Sequence, residues 1–260
     1  MSTFNQAQYD DLSVKAEDAY AQAKYDILLD YLSGQTGLRV FNAGCGSGEL
    51  SLRLAGCGHR VIGIDPEPAY INLAQRNAVA EGIRGCSFDV CSIEAYDGPS
   101  DFDCVIATDV LEHIADDRAA FAKLVDLVKP RGLVLITVPA GPWLFGYHDD
   151  QLGHFRRYNR AMLHRLVAGA CRVDEIRYFA CTLIPVCYLF SKVLRRAYPV
   201  AESGDTGKRP LVARALRGLL QLERRLPLPL GTSVIFKGTR KAGTHGSAHL
   251  SGAPPIRAAA

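Results

Sequence analysis

Short apolar runs alternate with segments of helical periodicity through much of this chain, and that alternation limits the fold more than any other feature. Residues 14–33 place Ile27, Leu28, Tyr31 and Leu32 at helical spacing and stop at Gly34 and Gly37. LRVFNA (38–43) reads as a buried strand, followed by a helix over about 48–57 and the strand RVIGID (60–65). Pro66 and Pro68 open a helix over 69–82, with proline in the first turn, where its missing N–H costs nothing. CSFDV (86–90) is a third strand, and FDCVIATD (102–109), mostly apolar and hence central, a fourth. RAAFAKLVDLVK (118–129) is helical up to Pro130 and Gly132, and GLVLITVP (132–139) is a fifth strand. CRVDEIRYF (171–179) and GTSVIFKGTRK (231–241) supply the sixth and seventh. The pattern predicts βαβ units and a parallel sheet with helices on both faces.

Ligands of such sheets bind at the carboxyl ends of the strands. There, VFNAGCGSGELS places Gly44, Gly46 and Gly48 in the first strand-to-helix turn, where glycine permits a sharp turn and close approach of a ligand. A dinucleotide fold would show G-x-G-x-x-G, but Glu49 holds the place of its last glycine, and the Lys and Ser or Thr of a P-loop are missing. Asp65 ends the second strand, where a carboxylate can accept both hydroxyls of a ribose. Asp89, before Val90 on the third strand, is placed to bond an adenine amino group, and TDVLEHI (108–114) closes the fourth strand over the same pocket. Asp65 and Asp109 have a simpler alternative, capping the helices after them.

Taken together, VFNAGCGSG, VIGIDP, SFDV, FDCVIATDVLEHI and VKPRGLVLITVP resemble a class I S-adenosylmethionine-dependent methyltransferase over residues 25–140. The resemblance implies an α/β fold: a Rossmann-like, doubly wound, seven-stranded sheet, mostly parallel with an antiparallel last strand, and S-adenosyl-L-methionine as cofactor. It places Gly44, Gly46 and Gly48 along the methionine and sugar of the donor, Asp65 on the ribose hydroxyls, Asp89 and Val90 beside the adenine, and Asp109 at the methionine end. Asn42 stands where the family usually has an acidic residue near the donor's ammonium. Asparagine accepts a hydrogen bond but brings no charge, a difference of about 1 kcal/mol for a partly screened pair.

The segment AGPWLFGYHDDQLGHFRRYNRAML (140–163) follows the fifth strand and is dense in groups that do chemistry. His148 and His154 are the candidate bases, since an imidazole titrates near neutral pH. Arg156 and Arg157 suit a phosphate or carboxylate on a substrate, and Trp143, Asp149 and Tyr158 complete the substrate-binding set. HDDQLGHFRRY is similar to a loop of a bacterial methyltransferase subgroup and names no substrate. The structural alternative pairs Arg156 and Arg157 with Asp149 and Asp150. Glu112, His113, His148, Asp149 and His154 are possible ligands, but their spacing matches no zinc pattern and no metal is expected. The expected reaction is methyl transfer to a small-molecule or lipid-linked acceptor, oxygen ahead of nitrogen. The alternatives are a non-catalytic donor-binding partner subunit and a nicotinamide-dependent oxidoreductase.

One methyltransferase domain is expected over 1–241, with a helical insertion at about 180–228 and a disordered tail over 242–260, rich in Gly, Ala, Ser and Pro. In LVARALRGLLQLERRL (211–226), Leu211, Ala215, Leu219, Leu222 and Leu226 share one side, and Arg214, Arg217, Gln221, Arg224 and Arg225 fall largely on the other. Such a helix binds a membrane surface, covers an apolar substrate, or packs on the domain or on the second subunit of a homodimer with its charges outward. LIPVCYLFSKVLRR (183–196) is also apolar and basic, and 201–210 is a joint between the two. The apolar run at 178–190 is shorter than the roughly 20 residues of a membrane span. A net charge of +3 gives no argument for nucleic acid. Eight cysteines without a C-x-x-C pair, and a polar start without a signal peptide, point to reduced, mostly core thiols in a cytoplasmic protein, with peripheral contact at the inner membrane face left open.

Overall fold

The computed structural model describes residues 19–196 and 210–243. Helix α1, Ala19–Tyr31, leads into β1, Arg39–Ala43; α2, Glu49–Gly56, and β2, Arg60–Asp65, follow. Then come α3, Pro68–Ala80, β3, Cys86–Val90, β4, Phe102–Thr108, α4, Asp117–Leu127, and β5, Val128–Pro139. Two short helices, α5 at Tyr147–Leu152 and α6 at Arg160–Val167, precede β6, Cys171–Phe179. The insertion holds α7, Ile184–Tyr188, a π-helical stretch, Leu189–Leu194, and α8, Pro210–Glu223, before β7, Ser233–Arg240.

The seven strands lie in the order β3-β2-β1-β4-β5-β7-β6, all parallel except β7, which runs against both β5 and β6. Ala43 pairs with Ile64 on β2 and with Ala107 on β4, so the carboxyl ends of the three central strands stand level. Alternate residues serve opposite layers, as the pleat requires. Phe41, Val105 and Ala107 pack among residues of α4 such as Phe121 and Leu124, while Val40, Cys104 and Ile106 pack with Leu28 of α1 and Leu54 of α2. Phe41 is fully buried, and truncating it to alanine would cost about 3–5 kcal/mol.

Three expectations change. Helix α4 ends at Leu127 and β5 begins at Val128, because the residue before Pro130 is driven to extended backbone. Only Cys45, Cys104 and Cys171 are buried; Cys57 is exposed and the other four are intermediate, although none is in a disulfide. Helix α8 also packs by a different face. Leu220 is buried and Leu216 packs beside it, while Gln221 and Arg224 turn toward α1 and bond Asp26; Arg224 also bonds Asp30. Leu219, Leu222 and Leu226, the expected packing stripe, are 42–57% exposed. Residues 14–18, the joint at 201–209, the side chain of Leu211 and the tail from 244 lie outside the described residues.

Candidate active site

The glycine loop leaves β1 with Gly44, Gly46 and Gly48 all in the left-handed region, at φ 66°, 53° and 83°. A Cβ at Gly44 would lie 2.3 Å from Cγ2 of Val110, in the turn after β4, so the two strand ends close against each other here. Asp65 holds the loop: one carboxylate oxygen accepts from the Gly46 N–H and the other from the Glu67 N–H, each at 3.0 Å. Glu67, not Asp65, caps α3, its side chain accepting from the Ala69 N–H. Asp89 and Val90 are exposed at the end of β3.

Asn42 is 2% exposed and donates from Nδ2 to Ser51 Oγ at 2.9 Å. Its Oδ1 is buried with no hydrogen-bond partner among the described residues. An unmet buried acceptor costs about 1–3 kcal/mol, and a cationic donor such as the ammonium of S-adenosylmethionine would satisfy it. The acceptor beside a loop pressed tightly against its neighbours, with a carboxylate at the next strand end, fits this cofactor.

Asp109 lies at φ 54°, and Val110 holds the N-cap position of the short helical turn Leu111–His113 that follows it. Asp109 bonds Nζ of Lys24, which reaches across from α1, and accepts from Thr137 Oγ1 at 3.2 Å. Helix α4 is capped instead by Asp116. The Lys24 side chain is only 5% exposed, against 36% for Asp109. Burial pulls the Lys24 pKa down, but the carboxylate of Asp109 outweighs it and raises the pKa above the usual lysine range. Lys24 escaped the sequence reading, although a signal was there: it shares a helical stripe with the buried Ala21, Ile27 and Leu28.

The loop after β5 is stitched to the turn after β4. The Phe155 N–H donates to Glu112 O at 2.7 Å, and Arg156 donates to Ile114 O and Ala115 O at 2.9 and 2.6 Å. Asp149 is fully buried at the centre of the loop and accepts from Arg157 Nε at 2.7 Å and from the Gly146 N–H at 3.0 Å. His154 Nδ1 lies 2.8 Å from the same carboxylate. Burial pushes the Asp149 carboxyl upward, and the bonds from His154 and Arg157 override it, holding the pKa at about 2. Arg157 thus has the kind of partner the structural alternative expected, while Arg156 pairs with Asp117 at 3.1 Å rather than with Asp150. Tyr158 is 1% exposed and donates to Asp117 at 2.8 Å. Trp143 is half exposed, its ring 6.4 Å from that of Tyr188 in the insertion, and His148 is half-buried on α5. Beside His154 the ring of His113 stands edge-on, centroids 4.6 Å apart, and Glu112 is fully buried. Burial, followed by the charge of Asp109, pushes the Glu112 carboxyl well above the usual carboxylate range.

Residues 35–182 match the family described as "Methyltransferase domain". The chain is 41% identical over 99 residues to the ubiquinone biosynthesis O-methyltransferase of Methylocella silvestris and 36% identical over 101 residues to that of Azorhizobium caulinodans. Those matches take in 38% and 39% of this chain, and it spans only 38% and 40% of the two relatives' length. Among solved structures, geranyl diphosphate methyltransferase in complex with SAM superposes with a TM-score of 0.60 at 16% identity, over 84% of each chain. The N-methyltransferase NodS of Bradyrhizobium japonicum, in complex with S-adenosyl-L-homocysteine, superposes at 0.56 and 15% identity, over 85% of this chain and 87% of its own. At such identities the likeness is one of fold, and it agrees with the sheet order and the glycine loop. The chain belongs to the methyltransferase-domain family, whose methyl donor is S-adenosylmethionine.

Proposed function

We propose that the chain methylates an oxygen of a small-molecule or lipid-linked acceptor. S-adenosylmethionine, when bound, supplies an activated methyl group on a sulfonium. The chain's own residues hold the donor and manage the acceptor's proton. Asn42 Oδ1 accepts from the ammonium, Asp65 from the ribose hydroxyls, Asp89 and Val90 flank the adenine, and Asp109 lies at the methionine end beside the glycine loop. The observation that carries the oxygen reading is the contact of His154 with Asp149. A carboxylate on Nδ1 fixes the tautomer that leaves Nε2 to accept a proton from a hydroxyl. His148 is the second candidate on the same loop. The ubiquinone O-methyltransferase relatives support an oxygen acceptor.

His148→Ala and His154→Ala should be assayed separately at saturating donor, with methyl-labelled S-adenosylmethionine and cell extract. Loss of turnover in either shows that removal of the acceptor's proton depends on that histidine; full rates in both overturn a histidine base on this loop. Donor binding without transfer to any acceptor would instead favour the non-catalytic partner reading.

A lipid-linked acceptor is favoured by the exposure of Val186, Tyr188, Leu189, Val193 and Leu194, all more than 40% open, beside Lys192, Arg195 and Arg196. This segment lies against the active-site loop: a Cβ on Gly146 would meet Ser191 Oγ at 2.6 Å. No helix among the described residues is long and apolar enough to cross a membrane. Label that partitions into solvent, together with sedimentation of the chain on anionic vesicles, supports this acceptor; label in water assigns the surface to a lid or a dimer contact.

A further inference from the structure

Glu112 presents an unusual chemical situation. Its carboxylate is completely buried, yet Oε1 and Oε2 both lack a hydrogen-bond partner among the described residues. A buried carboxyl with neither oxygen met is costly, so the arrangement calls for a group that is not part of the chain. One ligand atom each from Glu112, His113 and His154 lies within 4.8 Å of the others. His154 is held by Asp149 through Nδ1, which is how a metal-binding histidine is commonly oriented from behind, and Arg157 holds that carboxylate in turn. The bonds from Phe155 to Glu112 and from Arg156 to Ile114 and Ala115 fix the two ligand-bearing segments against each other. His113 is exposed, which gives an ion a way in.

We propose that Glu112, His113 and His154 bind one divalent transition-metal ion, with Asp149 positioning His154. Two imidazoles and one carboxylate suit zinc, manganese, cobalt or iron better than magnesium or calcium, which prefer all-oxygen sets. Three protein ligands leave positions for water or for an oxygen of a substrate. The site lies in the turn directly after Asp109, so an acceptor hydroxyl on the ion would lose its proton more readily. His154 would then serve as ligand and His148 as the remaining base of the loop. Binding of the ion does not rest on the methyl-transfer reading, and its test needs no turnover.

The full chain, stripped with chelator, is titrated with Co2+ followed by visible absorption and with Mn2+ followed by electron paramagnetic resonance. The expected result is one ion per chain, without the charge-transfer band that a cysteine thiolate would give cobalt. Glu112→Gln and His154→Gln should each weaken binding at least tenfold, and Asp149→Asn by about 10- to 100-fold through the loss of positioning. Mg2+ should compete poorly. Absence of stoichiometric binding, a thiolate band, or unchanged affinity in Glu112→Gln would overturn the site. Should Glu112→Gln fail to fold, His113→Gln, at an exposed position, makes the same comparison.

Discussion

The pair between Lys24 and Asp109 is unequally buried, and that inequality gives a directional prediction. Asp109→Asn leaves an ammonium on a side chain only 5% exposed without its counter-charge. Breaking a buried pair from that side costs about 3–5 kcal/mol. Asparagine tolerates the left-handed backbone of position 109, so the substitution adds little strain of its own. Lys24→Met leaves instead a carboxylate that is 36% exposed. Solvent replaces much of the lost attraction, the methionine retains the buried stem, and the cost should be nearer about 1 kcal/mol. Urea unfolding of both variants, comparing midpoints at constant slope, reads the difference. The double variant should recover much of the loss seen in Asp109→Asn. A Lys24→Met variant that is destabilised as much as Asp109→Asn would refute the argument from burial.

Gly44→Ala should lose at least about 2 kcal/mol, from the left-handed backbone and from the 2.3 Å approach to Val110. Adding Val110→Ala should return the clash portion only, and a wild-type urea midpoint for Gly44→Ala would contradict the packing described. Asn42→Asp should lower the stability of the free protein, since a charge is buried without a partner, but tighten donor binding, since that charge then gains its counter-ion; calorimetric titration with S-adenosylmethionine decides, and weaker binding would remove Asn42 from the ammonium site. The Asp26 carboxyl is pushed up by partial burial, but the bonds from Arg53 and Gln221 prevail and hold it below the usual range. Its contribution is therefore present above the unfolded value of about 3.9 and fades as pH falls through the lower folded value. Asp26→Asn should be less stable than wild type at pH 7, and the gap should narrow steadily as the pH falls below about 4; a gap unchanged in acid would argue against the ion pairs.

The strand ends were legible because each carries a local signal: three glycines, then Asp65, Asp89 and Asp109, at the places where apolar runs stop. Strand β7 was found from its apolar pattern, and its reversed direction came with the family resemblance rather than from any residue. Lys24 was hidden because its partner lies 85 positions away, and nothing local to α1 points to a carboxylate. Periodicity put Leu219 and Leu222 on one side of α8 but had no means of telling which side docks; Asp26 and Asp30 on α1 decide that by drawing Gln221 and Arg224 inward. The boundary between α4 and β5 was misplaced because the apolar rhythm runs on through Val128, and Pro130 acts one residue earlier than its own position. Glu112 was visible as a residue, but the burial of its carboxyl without a hydrogen-bond partner among the described residues is a property of packing.

Asp26 accepts bonds from both Arg53 of α2 and Arg224 of α8, and it sits two residues from Lys24 on α1. Glu223, at the end of α8, in turn accepts from the N–H groups of Cys181 and Thr182, just beyond β6. Segments from the two halves of the chain thus hold one another in place against the face of the sheet that carries Val40, Cys104 and Ile106. For amide hydrogen exchange, they should behave as a single cooperative unit. Protection in α1 and in Leu220–Glu223 of α8 should rise together when donor binds, and one opening energy should describe both. Exchange that slowed in α1 alone would show that these helices open separately.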